Sequence, residues 1–376
     1  MLSQNRLKIM LCFYAPLLMI LALCSCTDKV PENTSDISEA KSFKYVAYDD
    51  FVEITKYTGT GGNVKIPEKI GGLPVKSIAD KAFFNCETVT SLTMPQTVEK
   101  IGEKAFFGCS SLESIVFSDN INHVGSFAFK GTPWLNEQSD DFVVVGDGVL
   151  IDYRGAEQKV EIPEGITAFE DAFADNYSIT SISLPSTLKT FGSNAFYACT
   201  IVKEISINPN PNYIVDNNIL YTADKSVLLY RPALASGDSV TVSEETIKIN
   251  SYAFSNNTKL KSIEFPESLK SIGDYSFDYC TNLEEIKLPK NTAQIGKYSF
   301  NYCSSLKKIT LGNKIEKIPE GAFASCKSLN WVLIPESVRI IEKNAFYYCS
   351  ALTDITVPDT ASIDDTAFAG TNISIR

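Results

Sequence analysis

The sequence predicts an α/β-type repeat solenoid. Its stacked coils would share a parallel β-sheet on one face and carry short helical or irregular turns on the other, with an N-terminal β-hairpin cap and two inserted β-hairpins. Three observations carry that expectation. A phenylalanine preceded by a small residue recurs at Phe83, Phe106, Phe129, Phe173, Phe196, Phe254, Phe277, Phe300, Phe323, Phe346 and Phe368, at a 23-residue spacing broken twice by extra segments of 21 and 35 residues. Between these phenylalanines run short segments of alternating apolar and polar residues that end in proline. The chain has 376 residues, 44% hydrophobic and 21% charged, which is enough apolar material for a large core and excludes wholesale disorder.

The first element is an address. Residues 1–25 place Arg6 and Lys8 ahead of an apolar run from Ile9 to Leu23, the layout of an export signal. That run of 15 residues is shorter than the roughly 20 a membrane-spanning helix needs. Leu23-Cys24-Ser25-Cys26 resembles a bacterial lipoprotein signal, which implies acylation of Cys26; an ordinary cleaved signal with an incidental cysteine is the alternative. Residues 26–43 are polar, contain Pro31 and lack a hydrophobic period, so they read as a flexible tether.

From residue 44 to 376 the chain reads as one solenoid of about 11 repeats. In the unit around Phe277, Ile272-Gly273 precede the ring, Cys280 follows it, and Leu283-Glu284-Glu285-Ile286-Lys287-Leu288 runs up to Pro289. That LxxLxL pattern is the strand half of a leucine-rich repeat. Ile286 and Leu288 point inward and Glu285 and Lys287 outward. One coil cannot bury its own apolar face, so stability must come from stacking, with the phenylalanine plugging each coil opposite the strand.

Tyr45 to Ile66, alternating around Gly59 to Gly62, reads as the capping hairpin. The first insertion, about 136–159, holds Phe142–Val145 and Val149–Ile151 on either side of Gly146-Asp147-Gly148, a hairpin signal. The second, about 208–239, pairs Ile219–Tyr221 with Val227–Leu229 around Thr222 to Ser226. Both read as decorations rather than separate domains.

The unit Ile-Gly, Ala-Phe, x-x-Cys, Leu-x-x-Ile-x-Leu-Pro resembles the BspA-type bacterial leucine-rich repeat family over about residues 44–376. Gly131-Thr132-Pro133-Trp134-Leu135 and Asn217-Asn218-Ile219-Leu220-Tyr221 are similar to inserts that recur in that family. The resemblance implies a secreted or surface-anchored protein, in some members an adhesin, with a binding surface and no catalytic residue to carry over. Ser118, Asn208 and Gly312 depart from the strand-ending proline, which affects local geometry only.

Chemistry has few footholds. With 34 Lys plus Arg against 45 Asp plus Glu, a formal charge of −11, the chain lacks the basic footprint of nucleic-acid binding, and membrane contact is expected only through the lipid anchor. Cys86, Cys109, Cys199, Cys280, Cys303, Cys326 and Cys349 each stand three residues after the repeat phenylalanine, where other units have Thr132, Asn176, Asn257 and Thr371. A small group meeting backbone atoms at a turn explains such a ladder without metal, cofactor or redox work. His123, the single histidine, is expected at the surface without a catalytic partner. The acids of the insertions, Asp147, Asp152, Asp216 and Asp224, are scattered, so no enzyme is expected.

Most outward positions on the strands are small and polar. Trp331 with Leu333 is the exception, and with Lys308 and Lys287 it makes the leading candidate for a ligand surface; alternatively Trp331 lies flat on its neighbours. Tyr275, Tyr298, Tyr279 and Tyr302 align in successive coils beside the phenylalanine and offer a second candidate, an aromatic stripe for sugar or protein, unless they only cover the coil edges. The expected function is therefore a cell-envelope lipoprotein of the bacterial outer membrane, facing the cell surface, that binds an extracellular protein, glycan or other cell as an adhesion module. The alternative is a periplasmic accessory scaffold docked on another envelope protein. A monomer is expected.

Overall fold

The computed structural model describes residues 41–373. The export signal, Cys26 and the tether up to residue 40 lie outside the described residues. Each regular coil contributes two short parallel strands rather than one. In the first sheet, Glu285–Lys287, Lys308–Thr310 and Trp331–Leu333 pair in parallel, with Ile286, Ile309 and Val332 in register and all buried. Their polar neighbours face solvent, as the alternation requires.

The second sheet was not expected. It is made of two-residue strands such as Lys100–Ile101 beside His123–Val124, and Lys317–Ile318 beside Ile340–Ile341 and Ser362–Ile363. Two residues are too few for alternation to register in a sequence. Where a glycine follows these strands it has a packing reason: a Cβ on Gly102, Gly273 or Gly296 would lie 2.3–2.4 Å from a backbone nitrogen of the preceding coil, so at those coils glycine permits the close approach.

The turns around the phenylalanine are not helical. The residues two before and two after it are left-handed, with φ of 54° at Tyr275 and 58° at Tyr279. Their N–H groups bond onward to the next coil, Tyr275 to Lys297 O at 2.9 Å, Phe277 to Ser299 O at 2.7 Å and Tyr279 to Asn301 O at 3.0 Å. The backbone is thereby satisfied coil to coil. Among the described residues the one helical element is Pro133–Asn136, capped by Thr132, whose side chain accepts from Leu135 N at 3.2 Å. From Phe254 to Phe368 the six rings form a column, with successive centroids 4.8–5.4 Å apart and planes within 19°.

The cap differs from its expected form. Phe43–Ala47 pairs antiparallel with Val52–Tyr57, so the hairpin turns at 48–51, and Gly59–Gly62 instead leads into Gly62–Lys65, the first strand of the first sheet. Alternation alone could not tell which neighbour Val52 and Ile54 would meet. The insertions are also more than decorations. Val149–Tyr153, after its antiparallel turn from Phe142–Val145, pairs in parallel with Ala168–Phe169 of the second sheet. In the second insertion three strands rather than two run back and forth, Tyr213–Asp216, Ile219–Thr222 and Val227–Tyr230, the last of them parallel to Lys248–Ile249. Asn217 and Asn218, at φ 50° and 62°, make the tight turn that Asn tolerates. Cap and first insertion each put a tyrosine in the phenylalanine column: Tyr57 stacks on Phe83 at 5.0 Å and Tyr153 meets Phe173 at 5.2 Å.

The insertions divide the core. One buried cluster runs from Phe43 to Ala168, a second from Leu150 to Tyr230 and a third from Ile219 to Phe368. They also interrupt the first sheet, which ends at Ser114–Val116 and resumes at Lys159–Glu161, then ends at Glu204–Ile207 and resumes at Ser239–Thr241.

Candidate binding surface

On the outer face of the last strands of the first sheet, Glu285, Lys308 and Trp331 stand in one register and Lys287, Thr310 and Leu333 in the next. Lys308 Nζ lies 4.8 Å from the centre of the Trp331 ring and 3.6 Å from Glu285 Oε1. Trp331 is 41% exposed and Leu333 51%, so the indole rests against Lys308 of the neighbouring strand and still leaves part of its surface open. In the following coil, Asp354–Thr356 at the equivalent position forms no strand. Trp331–Leu333 is therefore the terminal strand of its sheet. A cation over the indole is worth about 0.5–1 kcal/mol at an exposed site, which orients the ring while leaving apolar area for a partner.

The tyrosines form two ladders. Tyr252, Tyr275 and Tyr298 stack at 5.1 Å with planes within 12°, and Tyr279 stacks on Tyr302 at 4.5 Å. Stacking closes the shared faces, while Tyr279 and Tyr302, each stacked on one side, remain 42% and 41% exposed. Tyr298 Oη donates to Glu320 Oε1 at 2.8 Å. Hydrogen bonds from Lys343 and then from Tyr298 hold the Glu320 carboxyl below its ordinary range. Ser325 interrupts the second ladder, and Tyr348 packs edge-on against Tyr347 instead.

The seven cysteines among the described residues are free, six buried and Cys86 half-buried. Cys109, Cys280, Cys303, Cys326 and Cys349 donate from Sγ to the carbonyl of the preceding coil's phenylalanine at 3.1–3.2 Å, and Cys199 does so to Phe173 O at 2.9 Å. Where the preceding coil offers Arg231 O instead, Asn257 Nδ2 donates to it at 3.2 Å. Burial pushes the thiols of Cys109 and Cys199 up to about 12, so they stay protonated donors rather than nucleophiles. Among the described residues no three His, Cys, Asp or Glu side chains gather as a metal site would require.

His123 keeps part of its side chain at the surface. It lies half-buried with Nδ1 3.9 Å from Glu170 Oε1, too far for a hydrogen bond, and burial, then Lys100, lowers its pKa. Burial raises Glu170 to about 7 and Asp171 to about 6. These carboxylates line a cleft of about 210 Å³ at the first insertion, together with Phe127, Lys130 and Arg154. Asp171 Oδ2 accepts from Phe127 N at 2.8 Å, where regular coils use a backbone carbonyl, as Lys104 N does with Ser126 O at 2.9 Å. Sequence reasoning missed this pair; the available signal was Glu170 standing where other units have Gly102, Gly125 and Gly192. Of the acids it did name, Asp152 lines the same cleft and pairs there with Arg154, whereas Asp147 faces Lys189, Asp216 pairs with Lys225, and Asp224 bonds Thr222 and Ser226.

No helix among the described residues is long and apolar enough to cross a membrane. No curated protein matches the chain. Among solved structures, a leucine-rich repeat protein from Eubacterium ventriosum is similar, at 24% identity and a TM-score of 0.54 over 89% of this chain and 94% of that one. A leucine-rich cell surface protein from Faecalibacterium prausnitzii matches at 24% identity and a TM-score of 0.43, covering 94% and 97%. A leucine-rich repeat protein from Bacteroides ovatus matches at 24% identity and 0.34, covering 88% and 91%. The family model for the BspA type leucine rich repeat region matches in 6 copies, over residues 35–139, 156–229 and 238–374. With the 23-residue coil and its phenylalanine column, that match establishes that the chain belongs to the BspA-type leucine-rich repeat family.

Proposed function

We propose that this chain is a binding module of the bacterial cell envelope, exported and lipid-anchored through Cys26, that holds an extracellular protein against the outer face of its first sheet. The observation that carries the reading is the exposed Trp331–Leu333 pair on a terminal strand, with Lys308 over the indole. Aromatic anchors beside charged groups are what binding hot spots are made of. A protein fits this site better than a glycan, because Leu333, 51% exposed beside the indole, offers an aliphatic surface where a sugar needs hydrogen-bonding groups. Catalysis has no part in the reading: His123 approaches Glu170 only to 3.9 Å, and burial holds the thiols of Cys109 and Cys199 protonated.

The test is binding of the chain from residue 27 onward to immobilised extracellular-matrix proteins, glycans and envelope proteins, with Trp331→Ala alongside. A protein hit weakened by about 2 kcal/mol or more in the variant supports the reading. Hits that ignore Trp331→Ala, or that come only from glycans, overturn it. Protease treatment of intact cells checks the orientation, since a surface module is cleaved and a periplasmic scaffold is protected.

A further inference from the structure

The two insertions each remove a rung from the first sheet, and the chain repairs only one of the two broken edges. At the second insertion, strand Glu204–Ile207 turns Lys203 C=O and Ile205 N–H toward the missing rung. The side-chain amide of Asn218 meets both: Ile205 N donates to its Oδ1 at 2.9 Å, and its Nδ2 donates to Lys203 O at 2.7 Å. One acceptor and one donor in a plane make a one-residue copy of a neighbouring strand.

At the first insertion the equivalent edge is Ser114–Val116, and the equivalent groups are Glu113 C=O and Ile115 N–H. The nearest repair is Trp134 N, which donates to Leu112 O at 2.8 Å. Among the described residues nothing meets the two groups that Asn218 satisfies at the other edge.

Burial marks the same place as open. From Val64 to Val332, every other strand of the first sheet keeps its inward apolar residue at most 9% exposed, whereas Ile115 is only partly buried. Val116 beside it is 59% exposed. Exposed acids stand on either side of the edge in sequence: Glu113 immediately before the strand, and Glu137, Asp140 and Asp141 on the loop that replaces the next strand.

We propose that the edge Glu113–Phe117 is a docking site for an extended, basic segment of a partner protein, which supplies the missing rung by β-strand addition. A strand pairs at about 4.8 Å and satisfies the free backbone groups along the edge. Its inward side chain covers Ile115, its outward one covers Val116, and lysines or arginines at its ends answer the acids. This site is separate from the Trp331 face, so the two readings fail independently.

Hydrogen exchange on the intact chain reads the edge directly. In the free protein the Ile115 amide exchanges about tenfold or more faster than the Ile205 amide, which Asn218 protects. The probe is the capped hexapeptide Lys-Thr-Ile-Val-Thr-Lys. It slows the Ile115 amide, while the same peptide with glutamates at its ends does not, and Trp331→Ala changes neither result. Charge reversal by Glu113→Lys with Asp140→Lys and Asp141→Lys, all at exposed positions, weakens the lysine peptide by about tenfold or more. An Ile115 amide as slow as that of Ile205 overturns the proposal. So does a fast Ile115 amide that the lysine peptide leaves fast, or binding indifferent to the charge reversal.

Discussion

Replacing Phe300 by alanine removes a ring that is fully buried and stacked on both faces, on Phe277 at 5.0 Å and on Phe323 at 5.4 Å. Lost transfer energy and the cavity together cost about 3–5 kcal/mol for a buried phenylalanine. Each stacked contact adds about 0.5–1.5 kcal/mol beyond area. Phe368, the last ring of the column, is 8% exposed and has one stacked neighbour, Phe346 at 5.2 Å. Its replacement therefore costs less by one stacking contact and by a cavity with fewer walls, about 1–2 kcal/mol in all. Urea unfolding followed by circular dichroism, with hydrogen exchange resolving each coil, compares the two variants. Phe300→Ala is expected to speed exchange in the coils on both sides, and Phe368→Ala only at the C-terminal end. Equal losses at the two positions, or exchange confined to the mutated coil, would refute the view that each coil is stabilised by its neighbours.

The other expectations are narrower. In a chain beginning at residue 27, a thiol reagent labels Cys86 first and the other six cysteines only on unfolding, since those six are buried; fast labelling of Cys303 would contradict its bond to Phe277 O. Burial raises Glu170 to about 7 and Asp171 to about 6, so the folded chain binds protons more readily than the unfolded one. Their contribution to stability is fully present below about pH 4 and is lost as pH rises through 6 to 7. Melting of the coils around the first insertion should therefore fall over that window, and Glu170→Gln should flatten the fall. Gly273→Ala sets a methyl 2.4 Å from Ser251 N and should cost about 1–3 kcal/mol, read from the urea midpoint.

What was legible in the sequence follows from what repeats. The phenylalanine, the cysteine position and the inward Ile286-type residues each face the same neighbours in every coil, so one physical demand is written many times at one spacing. The second sheet escaped notice because Lys317–Ile318 is too short to alternate. The cap was placed on the wrong turn because Val52 and Ile54 look alike whether they meet Phe43–Ala47 or Gly62–Lys65. Tyr275 and Tyr298 could be aligned from spacing, but whether their faces were open depended on side-chain packing. Glu170 and Asp171 escape a reading by period because their surroundings include first-insertion residues, Leu150, Ile151, Asp152 and Arg154, which stand outside the repeat.

The spacing of the backbone bonds has a further consequence. Every regular coil hands the same three turn N–H groups to the next, and Cys303 reaches Phe277 O just as Cys326 reaches Phe300 O. Excising residues 281–303, one whole period of 23, would bring Cys326 against Phe277 O, the place Cys303 now holds, with its neighbours of the same chemical kind. Unequal exchange between gene copies could thus lengthen or shorten this rod by about 4.8 Å at a time, without inventing a new interface. The two insertion seams are the places where such trading must stop.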